Sequence, residues 1–485
     1  MASGTVATTS SARAWGRPTL LIVLAFVAVN LLMLWATVPG ANLKEGADAQ
    51  SWYEPALALY KHGAFVELND PSKPETYRGP VFPLFGAAMM KIAGEAGPMP
   101  IVYGQIVLLL LSGLMFRRMI EEWCPGWGDL GLALFLFNPN ALATAHLIQS
   151  DTVFLIVTLA SFWTLLRYIQ RGHDWRYGVA TGGLLGVACL VRPTPQFFLL
   201  ALPLILPILV AASGARQGLG RAFLSGLGGI ALAGVIALPW IAHVHNAGSG
   251  FDITPPDIKY RFVWDHIQIM DAQASGISQW DAAKRLEGPG GVVERYVASQ
   301  GPAWTALSRD QQYQKLVEFG YQTLLSYPPA VIARALAQSV GQFLLGGGAG
   351  NYFNLFGIDA QKLSSIWMKE TTGRPLETLR RAFADAPLAM VAIGAVTYLF
   401  VLVVRLAGAV GLVVAGVRRQ WPLLLLMIGV IAYYSLVHIF VGSARYRLVI
   451  EPALLMLAVL GFRDMAGWLR RRRAAPVGQP GPVAR

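Results

Sequence analysis

Residues 20–38 read LLIVLAFVAVNLLMLWATV, an apolar run without a single charge. A helix needs roughly 20 such residues to cross a bilayer, and an all-round hydrophobic helix of that length has no cheaper place than lipid. Arg13 and Arg17 precede the run in the manner of a secretory signal. It is longer than a signal core, however, and no small-residue cleavage site follows, so it is read as a retained first span.

Comparable blocks recur along the 485 residues, of which 55% are hydrophobic and 14% charged. Spans are expected at 19–38, 98–116, 129–145, 150–168, 177–191, 196–212, 222–243, 387–414, 422–441 and 447–463. The fold class is thus an all-α polytopic membrane protein of about ten or more transmembrane helices. Alternate connections carry Arg117 and Arg118, then Arg167, Arg171 and Arg176, then Arg216 and Arg221, then Arg418 and Arg419, and finally Arg470 to Arg473. The positive-inside rule makes all of these cytoplasmic, which puts both termini inside and agrees with an even number of spans.

This orientation divides the chain into a cytoplasmic segment 1–18, a membrane part 19–242 that includes a long outer loop 39–97, an extracytoplasmic domain 243–386, membrane helices 387–465 and a basic cytoplasmic tail 466–485. The domain is polar, rich in Gly, Pro, Trp and Tyr, and carries helical patterns such as RDQQYQKLVEFGYQTLLSY, so it is expected to be mixed and mainly helical. Its apolar stretch 328–348 is read as interfacial or re-entrant. No repeat announces a transporter.

The net charge of +12 resides mostly in short loops rather than in a basic patch with interleaved aromatics, so no nucleic-acid partner is expected. The two cysteines, Cys124 and Cys189, fall near opposite membrane faces, which supports neither a disulfide nor a thiolate metal site. His243 and His245 are spaced poorly for a metal, and no phosphate loop, zinc helix or nucleophile elbow is present.

Ionisable residues at membrane depth are functional suspects, and here they converge on the outer ends of the spans. Asp48, in GADAQSWYEPALALYKHG (46–63), either caps the helix that follows or acts as a base toward an acceptor hydroxyl. Trp52 and Tyr53 suit a sugar site or an interfacial aromatic belt. Arg78, in ETYRGPVFPLF (75–85), either snorkels to headgroups or binds an anion near Asp48. His146 and Asp151 flank a turn where Asp151 is also a good helix cap. At the far end, in HIFVGSARYRLVIEP, Arg447 and Glu451 stand one helical turn apart and can pair. Arg445 has no such nearby local partner, and with Arg192 of LVRPTPQF it makes a guanidinium clamp suited to a lipid phosphate. His146, His243 and Glu451 complete the substrate-facing candidates.

The first-loop acid with its ALAL-type helix, the return segment RGPVFPLF, the acid in QSD at 151, LVRP, and the closing GSARYRLVIEP together resemble bacterial GT-C glycosyltransferases. They are most similar to the family 39 group of protein O-mannosyltransferase-like and aminoarabinose-transferase-like enzymes. The resemblance runs through nearly the whole membrane part and is weakest over 243–387. It implies a GT-C fold and transfer of a sugar from a polyprenyl-phosphate carrier to a glycolipid, glycan or protein acceptor. The setting it implies is the periplasmic side of a bacterial inner membrane, among membrane lipids. It further implies Asp48 as catalytic base, Asp151 as a supporting or acceptor-side group, and Arg445 or Arg447 as phosphate ligand. Many relatives have Asp-Glu in the first loop, whereas Ala49 follows Asp48 here, so a first-loop metal is not supported, no cofactor is assigned and a need for a divalent metal is left open. Direct displacement in such a site would invert the anomeric centre.

A flippase or transporter of a lipid-linked or anionic substrate is the chief alternative. It would place ionisable groups at the bilayer midplane rather than at one surface. A polysaccharide ligase or polymerase would use the same kind of donor with a longer glycan.

Overall fold

The computed structural model describes residues 16–43, 46–215, 217–248, 256–358, 387–438 and 444–474. Most of the segment 1–18, the end of the basic tail 466–485, the end of the stretch 243–386 expected to be extracytoplasmic and part of GSARYR therefore lie outside the described residues.

The first part of the chain forms α1 (Arg17–Ala36), α2 (Gly46–His62), α3 (Val81–Ala93), α4 (Pro98–Trp123), α5 (Gly128–Leu136), α6 (Pro139–Ala145) and α7 (Asp151–Gln170). It continues with α8 (Trp175–Val191), α9 (Gln196–Leu200), α10 (Leu202–Ala212) and α11 (Leu219–Asn246). Between α2 and α3 lies a small antiparallel hairpin, β1 (Val66–Glu67) with β2 (Asp70–Pro74). The insertion supplies α12 (Pro256–Ser275), α13 (Gln279–Glu287), α14 (Val292–Ser299), α15 (Pro302–Thr305), α16 (Arg309–Leu325), α17 (Pro329–Leu345) and α18 (Ala349–Leu355). The chain then returns through α19 (Leu388–Val417), α20 (Trp421–His438), a 3-10 segment Ala444–Ile450 and α21 (Glu451–Ala474).

Among the described residues six helices are long and apolar enough to cross a membrane: α1, α4, α7, α11, α19 and α20. Three shorter apolar helices, α3, α8 and α10, accompany them. Each expected span falls on one helix or a pair, the last on the 3-10 segment with α21, while 439–441 of the span 422–441 lie outside the described residues. The span at 129–145 is broken into α5 and α6 because Asn138 caps a new helix, its side chain accepting from the amides of Asn140 and Ala141, with Pro139 in the first turn. The span at 196–212 is likewise divided, with Pro203 at the start of α10. Stretch 328–348, read as interfacial or re-entrant, contains the continuous helix α17.

Close helix crossings rest on small residues. Gly178, Gly182 and Gly186 lie along one stripe of α8 against Ser225, Gly229 and Ala233 of α11, and a Cβ on Gly182 would sit 2.2 Å from the Gly229 Cα. On the other side of the bundle, a Cβ on Gly411 of α19 would sit 1.9 Å from the Leu457 carbonyl of α21. Such stripes let backbones approach where lipid supplies no hydrophobic drive for association. Outward-facing leucines, including Leu21, Leu24, Leu31 and Leu32 on α1, stay exposed, as a lipid-facing surface requires.

The insertion has its own core, with Tyr260, Val263, Trp264 and Ile267 of α12 packed against Leu316 of α16. Trp264 donates its indole N–H to the Leu316 carbonyl at 3.1 Å. The face of α12 turned away from that core carries Arg261, Phe262 and Asp265, and this face roofs a cavity over the membrane helices.

Candidate active site

Asp48 sits in the first turn of α2, where the chain turns after leaving α1. Both of its carboxylate oxygens accept from guanidinium groups. Arg78 Nη2 donates to Oδ1 at 2.7 Å, and Arg445 Nη2 donates to Oδ2 at 2.6 Å. Arg78 is positioned by Ser51, one turn after Asp48, whose hydroxyl accepts from its Nε at 3.0 Å. The Arg78 guanidinium also lies over the Trp52 ring at 4.3 Å and the Tyr77 ring at 4.6 Å.

Asp151 opens α7 and takes a bidentate pair from Arg192, at 2.8 Å from Nη1 and 2.6 Å from Nη2, while Arg192 Nε donates to Ser150 Oγ at 2.7 Å. Such a fork fixes orientation as well as charge. Arg445 reaches the same acid through Nε at 3.2 Å from Oδ2. The Asp151 side chain is only 3% exposed against 32% for Asp48, so Asp151 anchors the guanidiniums from behind while Asp48 faces the opening. Tyr446 lies beneath both cations, its ring 5.0 Å from the Arg445 guanidinium and 5.6 Å from that of Arg192, and it stacks on His438 at 5.1 Å.

These groups line a cavity of 590 Å³ together with Trp52, Thr194, Trp240 and, from the roof, Arg261, Phe262 and Asp265. Burial resists ionisation of Asp48, but the nearby guanidiniums of Arg445 and Arg78, with Arg192 beyond, outweigh it and hold the carboxyl down at about 2. Asp265 behaves in the opposite way. Burial raises it to about 6 against the attraction of Arg261, with Glu287 and Asp48 adding repulsion.

The structure separates the remaining candidates from this cluster. Arg447 is 1% exposed and bonds to Glu451 Oε1 at 2.5 Å and to the Phe343 carbonyl at 2.7 Å. Arg405 Nη2 donates to the same Glu451 oxygen at 2.8 Å. Arg447 and Glu451 thus form a buried ion cluster with Arg405 that ties α17, α19 and α21 together, and neither lines the cavity; of the two arginines in RYR only Arg445 does. His146 lies outside the cavity lining, its Nε2 3.0 Å from Asn30 Oδ1 of α1. His243 meets the Glu75 carbonyl at 2.9 Å and stacks on Trp240, behind the lining. Tyr53 packs on the hydrophobic core instead of facing the cavity, unlike its neighbour Trp52.

Sequence reasoning did not single out Ser51, Thr194, Trp240, Asp265 or Tyr446. Tyr446 carried a usable signal, since an aromatic between two arginines in RYR invites stacking. Among the described residues no group of three or more His, Cys, Asp or Glu side chains is arranged to hold a metal ion.

Residues 73–243 match the family described as dolichyl-phosphate-mannose-protein mannosyltransferase. This stretch carries Arg78, Asp151 and Arg192, and the match bears out the likeness to GT-C membrane glycosyltransferases read from the sequence. No curated protein matches the chain significantly. Among solved structures, the archaeal oligosaccharyltransferase AglB from Archaeoglobus fulgidus, in complex with an inhibitory peptide and a dolichol-phosphate, is similar with a TM-score of 0.48 and 12% identity over 96% of this chain and 53% of its own. This chain therefore spans about half the length of that protein. ArnT from Cupriavidus metallidurans bound to undecaprenyl phosphate is similar with a TM-score of 0.39 and 16% identity, over 95% of this chain and 82% of its own.

Proposed function

We propose that this protein transfers a sugar from a polyprenyl-phosphate carrier to an acceptor at the periplasmic face of a bacterial inner membrane. The observation that carries the reading is the convergence of Arg78, Arg192 and Arg445 with Asp48 on one cavity at the end of the membrane helices. The mannosyltransferase family matched by residues 73–243, whose description names a lipid-phosphate-linked sugar, supports the same donor class.

The chemistry follows from charge. A sugar joined to polyprenyl phosphate sits on a phosphodiester with one negative charge. When the acceptor oxygen attacks the anomeric carbon and the carbon–oxygen bond to phosphate breaks, the electron pair stays on the departing phosphomonoester, which gains a second negative charge. Three guanidiniums held by two carboxylates leave one positive charge in excess, fixed before the substrate arrives. Such preorganised donors interact more strongly with the departing dianion than with the starting diester, which is what lowers a barrier. The entering phosphate replaces Asp48 on Arg78 and Arg445. The released carboxylate then takes the proton of the attacking acceptor hydroxyl. Attack from the side opposite the phosphate inverts the anomeric centre.

The test is transfer by purified protein in detergent from a radiolabelled polyprenyl-phosphate sugar to candidate glycolipid, glycan and protein acceptors. Transfer without any ion gradient is expected and separates an enzyme from a transporter. Its absence with every acceptor, while the labelled lipid crosses the bilayer of reconstituted vesicles, would overturn the proposal. NMR of the product should show the inverted anomer.

A further inference from the structure

The cavity holds polar groups that the phosphate clamp leaves unused. Asp265 projects from the roof helix α12 into the same cavity as Asp48, and among the described residues no hydrogen-bond or ion-pair partner engages it. Arg261, one turn earlier, has its Nη1 3.4 Å from Glu287 Oε1 instead. Two wall groups are also unmet. The Trp52 indole N–H and the Thr194 hydroxyl are both buried and find no partner among the described residues, although both side chains line the cavity. Buried polar atoms without partners are costly and call for an explanation, of which a missing ligand is one. Trp240 and Phe262 add aromatic surface to the same wall.

Resting on the sugar-transfer reading above, we infer that Asp265, Trp52 and Thr194 form a sugar-binding subsite beside the phosphate clamp. A sugar ring supplies what this set lacks. Adjacent hydroxyls donate to a carboxylate, a ring hydroxyl oxygen accepts from the indole N–H, and a further hydroxyl pairs with threonine. Its C–H faces pack on the aromatic rings. A peptide would leave a lone carboxylate without a donor unless it carried a cation, and a second phosphate would be repelled by Asp265. The ring bound here belongs to either the donor or the acceptor, and the chemistry of recognition is the same for both. The raised Asp265 carboxyl fits this role, because hydroxyl donors satisfy the ionised form that burial and the repulsion of Glu287 and Asp48 leave under-stabilised despite the attraction of Arg261.

Asp265→Asn is tested for binding of undecaprenyl phosphate alone and of undecaprenyl phosphate bearing a hexose or a pentose, and for KM toward each substrate in the transfer assay. Loss of affinity for the sugar-bearing lipid of roughly ten- to hundredfold, with sugar-free lipid unaffected, assigns the subsite to the donor. An acceptor KM raised by the same factor with donor binding intact assigns it to the acceptor. Whichever affinity is affected should also weaken in the unsubstituted protein as pH falls through about 6, and Asp265→Asn should flatten that limb. Thr194→Val, which keeps its shape, should act in the same direction by roughly threefold to tenfold. Equal loss for sugar-free and sugar-bearing lipid, or no change in either affinity, overturns the subsite. Failure of the unsubstituted protein to transfer sugar would instead count against the proposed function, while the lipid-binding comparison still decides the subsite.

Discussion

Arg445 donates to Asp48 at 2.6 Å although 397 positions separate the two residues in the chain. Through its Nε the same guanidinium approaches Asp151, so one side chain couples the start of α2 to the start of α7. Arg445→Ala is expected to lower kcat by roughly 10² to 10³, the usual loss when one donor to a developing anion is removed. Arg445→Lys should recover little, because an ammonium has all its donors on one nitrogen, whereas Arg445 meets Asp48 and Asp151 through separate nitrogens of a planar group. Single-turnover kinetics with labelled donor measures both.

In the proposed reaction, Asp48→Asn removes the acid that competes with the donor phosphate for Arg78 and Arg445. Donor binding should be unchanged or tighter, while kcat falls by roughly 10² to 10⁴ with loss of the proton acceptor. A parallel loss of donor affinity and kcat, read from lipid binding beside turnover, would instead make Asp48 a structural counter-ion.

Gly79 tests the positioning of Arg78. A Cβ there would lie 2.2 Å from the Leu190 carbonyl near the end of α8, and a backbone atom has no room to yield. Gly79→Ala should displace the turn that carries Arg78 and reduce turnover by roughly 100-fold. Stability in detergent, followed by thermal unfolding, should change far less than activity.

Arg447 should show the reverse pattern. Arg447→Ala strands Glu451 in a site where only Arg405 remains to balance it, with an expected loss of about 3–5 kcal/mol. The protein that does fold should retain its donor affinity, measured by lipid binding after size-exclusion selection.

Asp265 carries a pH-dependent cost. Its carboxyl is raised from 3.8 to about 6 in the fold, so the folded state holds a proton that the unfolded chain has lost between those values. This acid therefore lowers stability as pH rises from about 4 to about 6, and the cost is fully present above that window. Asp265→Asn should stabilise the protein by about 1–3 kcal/mol at neutral pH and by little near pH 4. Unfolding midpoints of both proteins across that range measure the difference.

The membrane architecture was legible because lipid imposes a length and a composition that a sequence must meet openly. Counting basic loops led to the expectation that Asp48, Arg78, Arg192 and Arg445 share one side, and the four do line one cavity. What the sequence concealed was the choice between neighbours. Arg445 and Arg447 differ by two positions, yet the 3-10 turn that holds them sends one guanidinium to Asp48 and the other to Glu451. Trp52 and Tyr53 also differ, for Trp52 is a core residue that reaches the cavity wall, whereas Tyr53 is only partly buried and does not line the cavity. Asp265 gave no local signal, since an acid on an amphipathic helix ordinarily meets water. Only the docking of α12 over the membrane helices turns that face toward the cavity.

Because Arg445 reaches Asp48 from 397 positions away, this pairing cannot assemble until two distant stretches of the polypeptide lie side by side. Any chain broken off between them keeps Asp48 and Arg78 but lacks the guanidinium that joins Asp48 to Asp151.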